Sequence, residues 1–227
     1  MIGTYQPKGA VDSRPFKWDN GVVSDLGVGS KFAQKFESIG VYPLKIQVET
    51  INNRGELAGF VDCGKFNLLT GKYTLVKREV FFGDGELHLV EFPLSSYTYK
   101  IKLNNVSELL CVTGDYMSYL WNLGTGLKSV DGLHGIDFND RQIVLGYLRL
   151  DNGDSVPGLW INNKIMTLAQ LLNVEDIHHL AQPYSPSFEP ESIDSVVGIN
   201  NKGQIAGECS VWGDRYPCIL NLSEGSR

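Results

Sequence analysis

The chain has 227 residues, a formal net charge of −6, 42% hydrophobic residues and 25 glycines. That length suits a single all-β domain with an ample core, and the glycines fit a chain of many turns. The acidic balance argues against nucleic-acid binding, which shows as a basic patch or stripe, and without a run of 18 apolar residues no membrane span is expected.

The N-terminal stretch MIGTYQPKGAVDSRP has neither a basic start nor an apolar centre, so it does not read as a signal peptide. The compartments left open are the cytoplasm, export by a non-classical route, or a chain already processed. FKWDNGVVSDLG (16–27) contains Trp18 and an Asn20-Gly21 dipeptide suited to a tight hairpin. KFAQKFESIG (31–40) is a candidate helix ending on Gly. GVGSK (27–31) lacks the Gly-Lys-Ser/Thr ending of a phosphate loop, and chance accounts for it.

The main body carries a nine-residue motif four times: INNRGELAG (51–59), LNNVSELLC (103–111), FNDRQIVLG (138–146) and INNKGQIAG (199–207). Each opens on an apolar residue followed by Asn, and three of the four close on Gly. The starts are 52, 35 and 61 residues apart, irregular but centred near a propeller-blade length of roughly 40–50 residues. After each motif comes an apolar stretch with an aromatic or Leu slot, filled in turn by Phe82, Trp121, Trp160 and Leu220. The runs ELAGFV, ELLCV, QIVLGYL and QIAGEC, bounded by Asn, Asp and Gly, read as strands. About four strands per repeat is the arithmetic of a blade, and one such unit buries too little surface to stand alone.

Two C-terminal features break the pattern. LAQLLNVEDIHHLAQ (168–182) shows helical spacing, and PYSPSFEPES (183–192) reads as an exposed loop. Together they form a helical and loop insertion over about 168–192. The four cysteines include no C-x-x-C pair, so no metal site is expected. If Gly213-Asp214 is a two-residue turn, Cys209 faces Cys218 closely enough for a disulfide. Pro217 then sits at a hydrogen-bonded position, where its missing N–H is a handicap. Free buried thiols are the alternative.

The motif copies at 51–59 and 199–207 resemble the HAF family of probable extracellular repeats, whose Ile-Asn-x-x-Gly-x-Ile-x-Gly core is followed by an apolar-Trp-x-x-Gly element. The copy at 103–111 has Ser107 and Cys111 at the two glycine positions, and that at 138–146 has Gln142 at the first. The resemblance covers nearly the whole chain, 1–227. It implies a β-propeller-like fold of four blades, alternatively five, and a secreted bacterial type of protein. It supplies no catalytic residues to carry over. In the four-blade reading, GVVSDLG (21–27) provides the outer strand missing after ILNL and closes the ring.

No catalytic constellation stands out. G-x-S-x-G, H-E-x-x-H and a complete EF-hand loop are all missing. A hairpin turn explains Asp151-Asn152-Gly153-Asp154 better than calcium ligation, and a solvated helix face explains His178-His179 better than a metal site. His134 and Asp137 are a candidate proton-transfer pair, against a structural hydrogen bond. Asp62, Asp84, Glu86, Asp115, Asp137 and Asp151 lie near strand ends, with nothing to single out a glycosidase pair. The recurring aromatic slot favours packing, whereas Trp212, in an expected turn, is the candidate exposed contact residue. Three functions follow in order: a non-enzymatic module binding a protein partner at one end of the ring, a carbohydrate-binding protein, and a glycosidase-like enzyme. No cofactor is expected.

Overall fold

The computed structural model describes residues 2–5, 8, 14–25, 34, 42–67, 69–83, 86–91, 98–171, 177–179, 192–211 and 213–222. Strands β1 (Ile2–Tyr5), β2 (Arg14–Asp19) and β3 (Val22–Asp25) form a three-stranded antiparallel sheet. Four four-stranded antiparallel sheets follow. The first contains β4 (Tyr42–Ile51), β5 (Leu57–Asn67), β6 (Lys72–Gly83) and β7 (Glu86–Val90) in chain order. The second contains β8 (Thr98–Leu103), β9 (Glu108–Thr113), β10 (Ser118–Asn122) and β11 (Gly126–Ser129). The third contains β12 (Leu133–Phe138), β13 (Val144–Arg149), β14 (Ser155–Ile161) and β15 (Lys164–Thr167), and a short helix α1 (Leu168–Leu171) follows. The fourth comprises β16 (Ile177–His179), β17 (Ser192–Ile199), β18 (Gln204–Val211) and β19 (Asp214–Asn221), ordered 16-19-18-17.

The motifs form the turns between β4 and β5, β8 and β9, β12 and β13, and β17 and β18, and one pattern of hydrogen bonds explains the Asn of each. The side-chain oxygen of Asn52 accepts from the N–H groups of Arg54 and Glu56 at 3.0 and 3.1 Å. Asn104 does so for Val106 and Glu108, Asn139 for Arg141 and Ile143, and Asn200 for Lys202 and Gln204. A short amide side chain thus satisfies main-chain donors that the reversal leaves unpaired.

The two motif glycines have separate causes. Gly55 and Gly203 adopt φ of 80° and 83°, the left-handed region, where a side chain costs about 1–2 kcal/mol. Ser107 and Gln142 take the same place at φ 66° and 58°, so the turn persists without its preferred residue. At the closing position, a Cβ on Gly59, Gly146 or Gly207 would stand 2.0–2.3 Å from a carbonyl oxygen of the preceding strand, at Gln47, His134 and Ser195 respectively. Register irregularities in β4, β12 and β17 accompany this close approach.

The chain divides into two compact units, Met1–Cys111 with Trp121–Leu127, and Val112–Leu120 with Lys128–Arg227. In the first, Leu57, Val61, Cys63 and Val80 form one cluster, and Phe60, Phe81, Leu109, Cys111 and Trp121 another. In the second, Leu145, Leu159, Ile205 and Leu220 are fully buried in a single core with Ile143 and Leu168. Phe82, Trp121, Trp160 and Leu220, the recurring slot, are half-buried or buried, while Trp18 is 43% exposed.

Three expectations are corrected. The segment expected at 21–27 to supply the outer strand of the last sheet does not do so where it is described: β3 (22–25) pairs with β2, Trp18 opposite Val23, and the outer partner of β19 is β16, Ile177 opposite Leu220. Asn20 and Gly21, at φ 47° and 87°, close that hairpin locally, which costs far less loop-closure entropy than a pairing across the whole chain. Helix is described only at Leu168–Leu171 within 168–182, and 177–179 is strand, because the open edge of β19 offers Ile177–His179 a ladder to join. In the last hairpin Val211 lies opposite Asp214, one residue off the register expected of a Gly213-Asp214 turn, so Cys209 faces Tyr216 and Cys218 faces Gly207. The candidate helix at 31–40, apart from Gln34, lies outside the described residues, as do GVGSK and the loop 183–191.

Candidate functional site

The second unit holds a cleft of about 490 Å³ lined by Asp115, Tyr116, Met117, Gly132, His134, Tyr147, Arg149, Gly153 and Ser155. That volume lies in the range of about 300–1,000 Å³ usual for small-molecule sites. Its wall follows from strand periodicity. His134 on β12 is opposite Tyr147 on β13, and two residues further on Arg149 is opposite Ser155 on β14. Residues two apart share a face, so these four side chains project together.

Tyr147 fixes that wall in place. Its hydroxyl donates to the carbonyl of Val196 at 3.3 Å and accepts from the N–H of Val196 at 3.1 Å. The polar end of the ring is thereby used inside the fold, and the ring itself faces the cleft.

The rim is the turn Gly114–Met117. Tyr116 N–H donates to the Thr113 carbonyl at 2.9 Å and Thr113 N–H to the Met117 carbonyl at 2.9 Å. This is the geometry of the motif turns, where Gly55 N–H reaches Asn52 and Asn52 N–H reaches Glu56, and of the β13–β14 turn, where Gly153 holds the left-handed place. At that place, where glycine is preferred, this turn carries a tyrosine at φ 64°. An aromatic residue held there, 65% exposed, is a backbone outlier of the kind that collects at binding sites. The Tyr116 ring packs edge-on against His134, centroids 5.2 Å apart at 87°. Asp115 beside it accepts a hydrogen bond from the Thr113 hydroxyl.

Several sequence candidates have other duties or lie elsewhere. Asp137 accepts the Ile199 N–H at 2.9 Å, a structural role at the irregularity in β12. The Asp154 carboxylate accepts from the side-chain amide of Asn152 at 2.7 Å, and the Asp154 main-chain N–H donates to the Asn152 side-chain oxygen at 3.0 Å, so both are used within their own turn. Among the described residues no group of three or more His, Cys, Asp or Glu is placed to hold a metal ion, and no helix is long and apolar enough to cross a membrane. Trp212, Asp84 and the His178 and His179 side chains lie outside the described structure.

Cys209 and Cys218 are joined by a disulfide with Cα atoms 6.1 Å apart. Facing Gly207, Cys218 has room to reach diagonally to Cys209. The remaining thiols, Cys63 and Cys111, are buried. Burial pushes Cys63 up to about 11, against a lowering by Arg78, and pushes Cys111 higher still. Neither has the exposed, depressed thiolate of a nucleophile.

No protein-family model matches this chain, and no curated protein matches it.

Proposed function

We propose that this chain is a non-enzymatic binding module of HAF-type repeats, its four four-stranded sheets serving as the blades of a small propeller, and that it takes a saccharide in the cleft bounded by Tyr116, His134 and Arg149. The observation carrying this reading is Tyr116, an exposed aromatic ring held in a main-chain conformation that favours glycine. Such a ring is a platform for the apolar face of a sugar, and the polar groups around it suit hydroxyls. Asp115 is the carboxylate among the described lining residues, whereas hydrolysis of a glycosidic bond takes an opposed pair. The matching hydrogen bonds of the four motif turns support the repeat architecture. A broad glycan array tests the function. Reproducible binding to one sugar class is expected, and a blank array contradicts it.

A protein-partner reading draws on a different surface. The β2–β3 hairpin exposes Trp18 and Val23, opposite each other in the register, at 43% and 62%, an apolar pair that suits an interaction surface. Pull-down by the wild type but not by Trp18→Ser, with a blank array, would favour it.

A further inference from the structure

Arg149 distinguishes one end of the cleft from the other. Its guanidinium is exposed and makes no hydrogen bond or ion pair with any described residue. Arg54 and Arg215 are engaged, with Glu56 and Ser107 in the first unit and with Asp194 in the second. Asp115, the carboxylate among the described lining residues, accepts a hydrogen bond from the Thr113 hydroxyl. In a chain of net charge −6, an arginine in a cleft with no partner among the described residues is placed to meet an anion from outside. Ser155, opposite it in the strand register, adds a hydroxyl, and Gly153 beside them leaves open space where a side chain would stand.

We infer that the ligand is an acidic saccharide carrying a carboxylate, of the uronate class, an inference resting on the saccharide reading above. The Tyr116 ring takes the apolar face of the pyranose, and Arg149 takes the carboxylate through its two-pronged fork of N–H donors. A carboxylate fits better than a phosphate. One guanidinium balances one negative charge, phosphate sites gather several cations or helix N-termini, and the Asp115 carboxylate on the same rim opposes a dianion. Arg149 sets specificity in this arrangement, and Tyr116 and His134 supply contact common to neutral and acidic sugars.

The test is titration calorimetry on the whole chain. The probes are oligosaccharides bearing glucuronate, galacturonate or mannuronate, each paired with its carboxyl-reduced neutral counterpart. The expected result is that one uronate binds about 10- to 100-fold more tightly than its reduced form, the effect of a hydrogen-bonded charge. Arg149→Gln should bring the acidic and neutral forms to equal affinity while leaving the melting temperature unchanged, because the guanidinium makes no hydrogen bond or ion pair with any described residue. Arg149→Lys, which keeps the charge but not the fork, should fall between the two. Equal affinity for acidic and neutral sugars overturns this inference and leaves the saccharide reading standing. An acid preference that survives Arg149→Gln removes Arg149 as its source. Failure of every sugar to bind overturns both.

Discussion

Asn52 donates its side-chain amide to the main-chain carbonyl of Asn104, 2.9 Å away and one repeat further along, and in the second unit Asn139 does the same to Asn200 at 3.1 Å. The next residue repeats the link: Asn53 N–H reaches the Asn105 side chain, and Asp140 N–H reaches that of Asn201. The motif Asn therefore holds its own turn, and in the first and third copies it also ties that turn to the next. Asn139 is 2% exposed. Asn139→Ala leaves the Arg141 and Ile143 amides without their side-chain acceptor and removes one of the two donors to the Asn200 carbonyl, and should cost about 2–4 kcal/mol. Urea denaturation should show a lower midpoint at unchanged slope. An unshifted midpoint would mean that the turn holds without its staple.

Gln142 occupies a left-handed position that two of its counterparts fill with glycine. Gln142→Gly should raise stability by up to about 1 kcal/mol, the relief of left-handed strain less the extra freedom glycine gives the unfolded chain. Gly203→Ala should lower it by about 1 kcal/mol. The same denaturation curves check both, and equal signs would contradict the account.

The cysteines make a countable prediction. Native protein at pH 8 should show no reactive thiol, since burial holds Cys63 at about 11 and Cys111 above it. Denaturation without reductant should expose two, and reduction should bring the total to four. Four before reduction would contradict the Cys209–Cys218 bond. Cys218→Ser should cost about 3 kcal/mol on the chain-entropy account of a loop this short.

Asp194 gives the fourth sheet an acid sensitivity. It accepts from Ser210 at 2.5 Å and Ser192 at 2.7 Å and pairs with Arg215 at 3.1 Å. The Ser210 bond leads in holding its carboxyl below the ordinary aspartate value, the Ser192 bond and Arg215 adding to it. A folded-state pKa below the unfolded one gives stability that is complete above the ordinary value and lost as pH falls through the folded value. Asp194→Asn should be less stable than wild type at pH 6, with the gap closing below about pH 4. A gap independent of pH would assign the loss to packing.

Much of the β organisation was legible. The motif Asn, the closing Gly and the recurring aromatic slot sit at equivalent places in successive sheets, because one turn geometry and one close approach impose them each time. The outer strand of the last sheet was not legible. Asn20-Gly21 marks a self-contained hairpin, yet nothing in Ile177–His179 advertises a short strand before its partner β19 exists. The cleft was least visible. Asp115 and His134 were noted without their neighbours, while Tyr116, Tyr147 and Arg149 went unmarked. Tyr116 becomes unusual only when the Thr113–Met117 turn is recognised as one that favours glycine at that place. Arg149 becomes a candidate only when strand pairing sets it beside Ser155 on the face shared with Tyr147.

The most direct test of the central claim joins two measurements on Tyr116→Gly. Glycine suits the left-handed backbone, so the variant should unfold within about 1 kcal/mol of wild type or later. Removing the ring should cut affinity for the sugar selected on the array by tenfold or more, the effect of losing an aromatic contact of roughly 1.5 kcal/mol. Stability kept with binding lost is the result predicted for a residue retained for its ligand. Binding kept at wild-type strength would contradict a saccharide site at Tyr116.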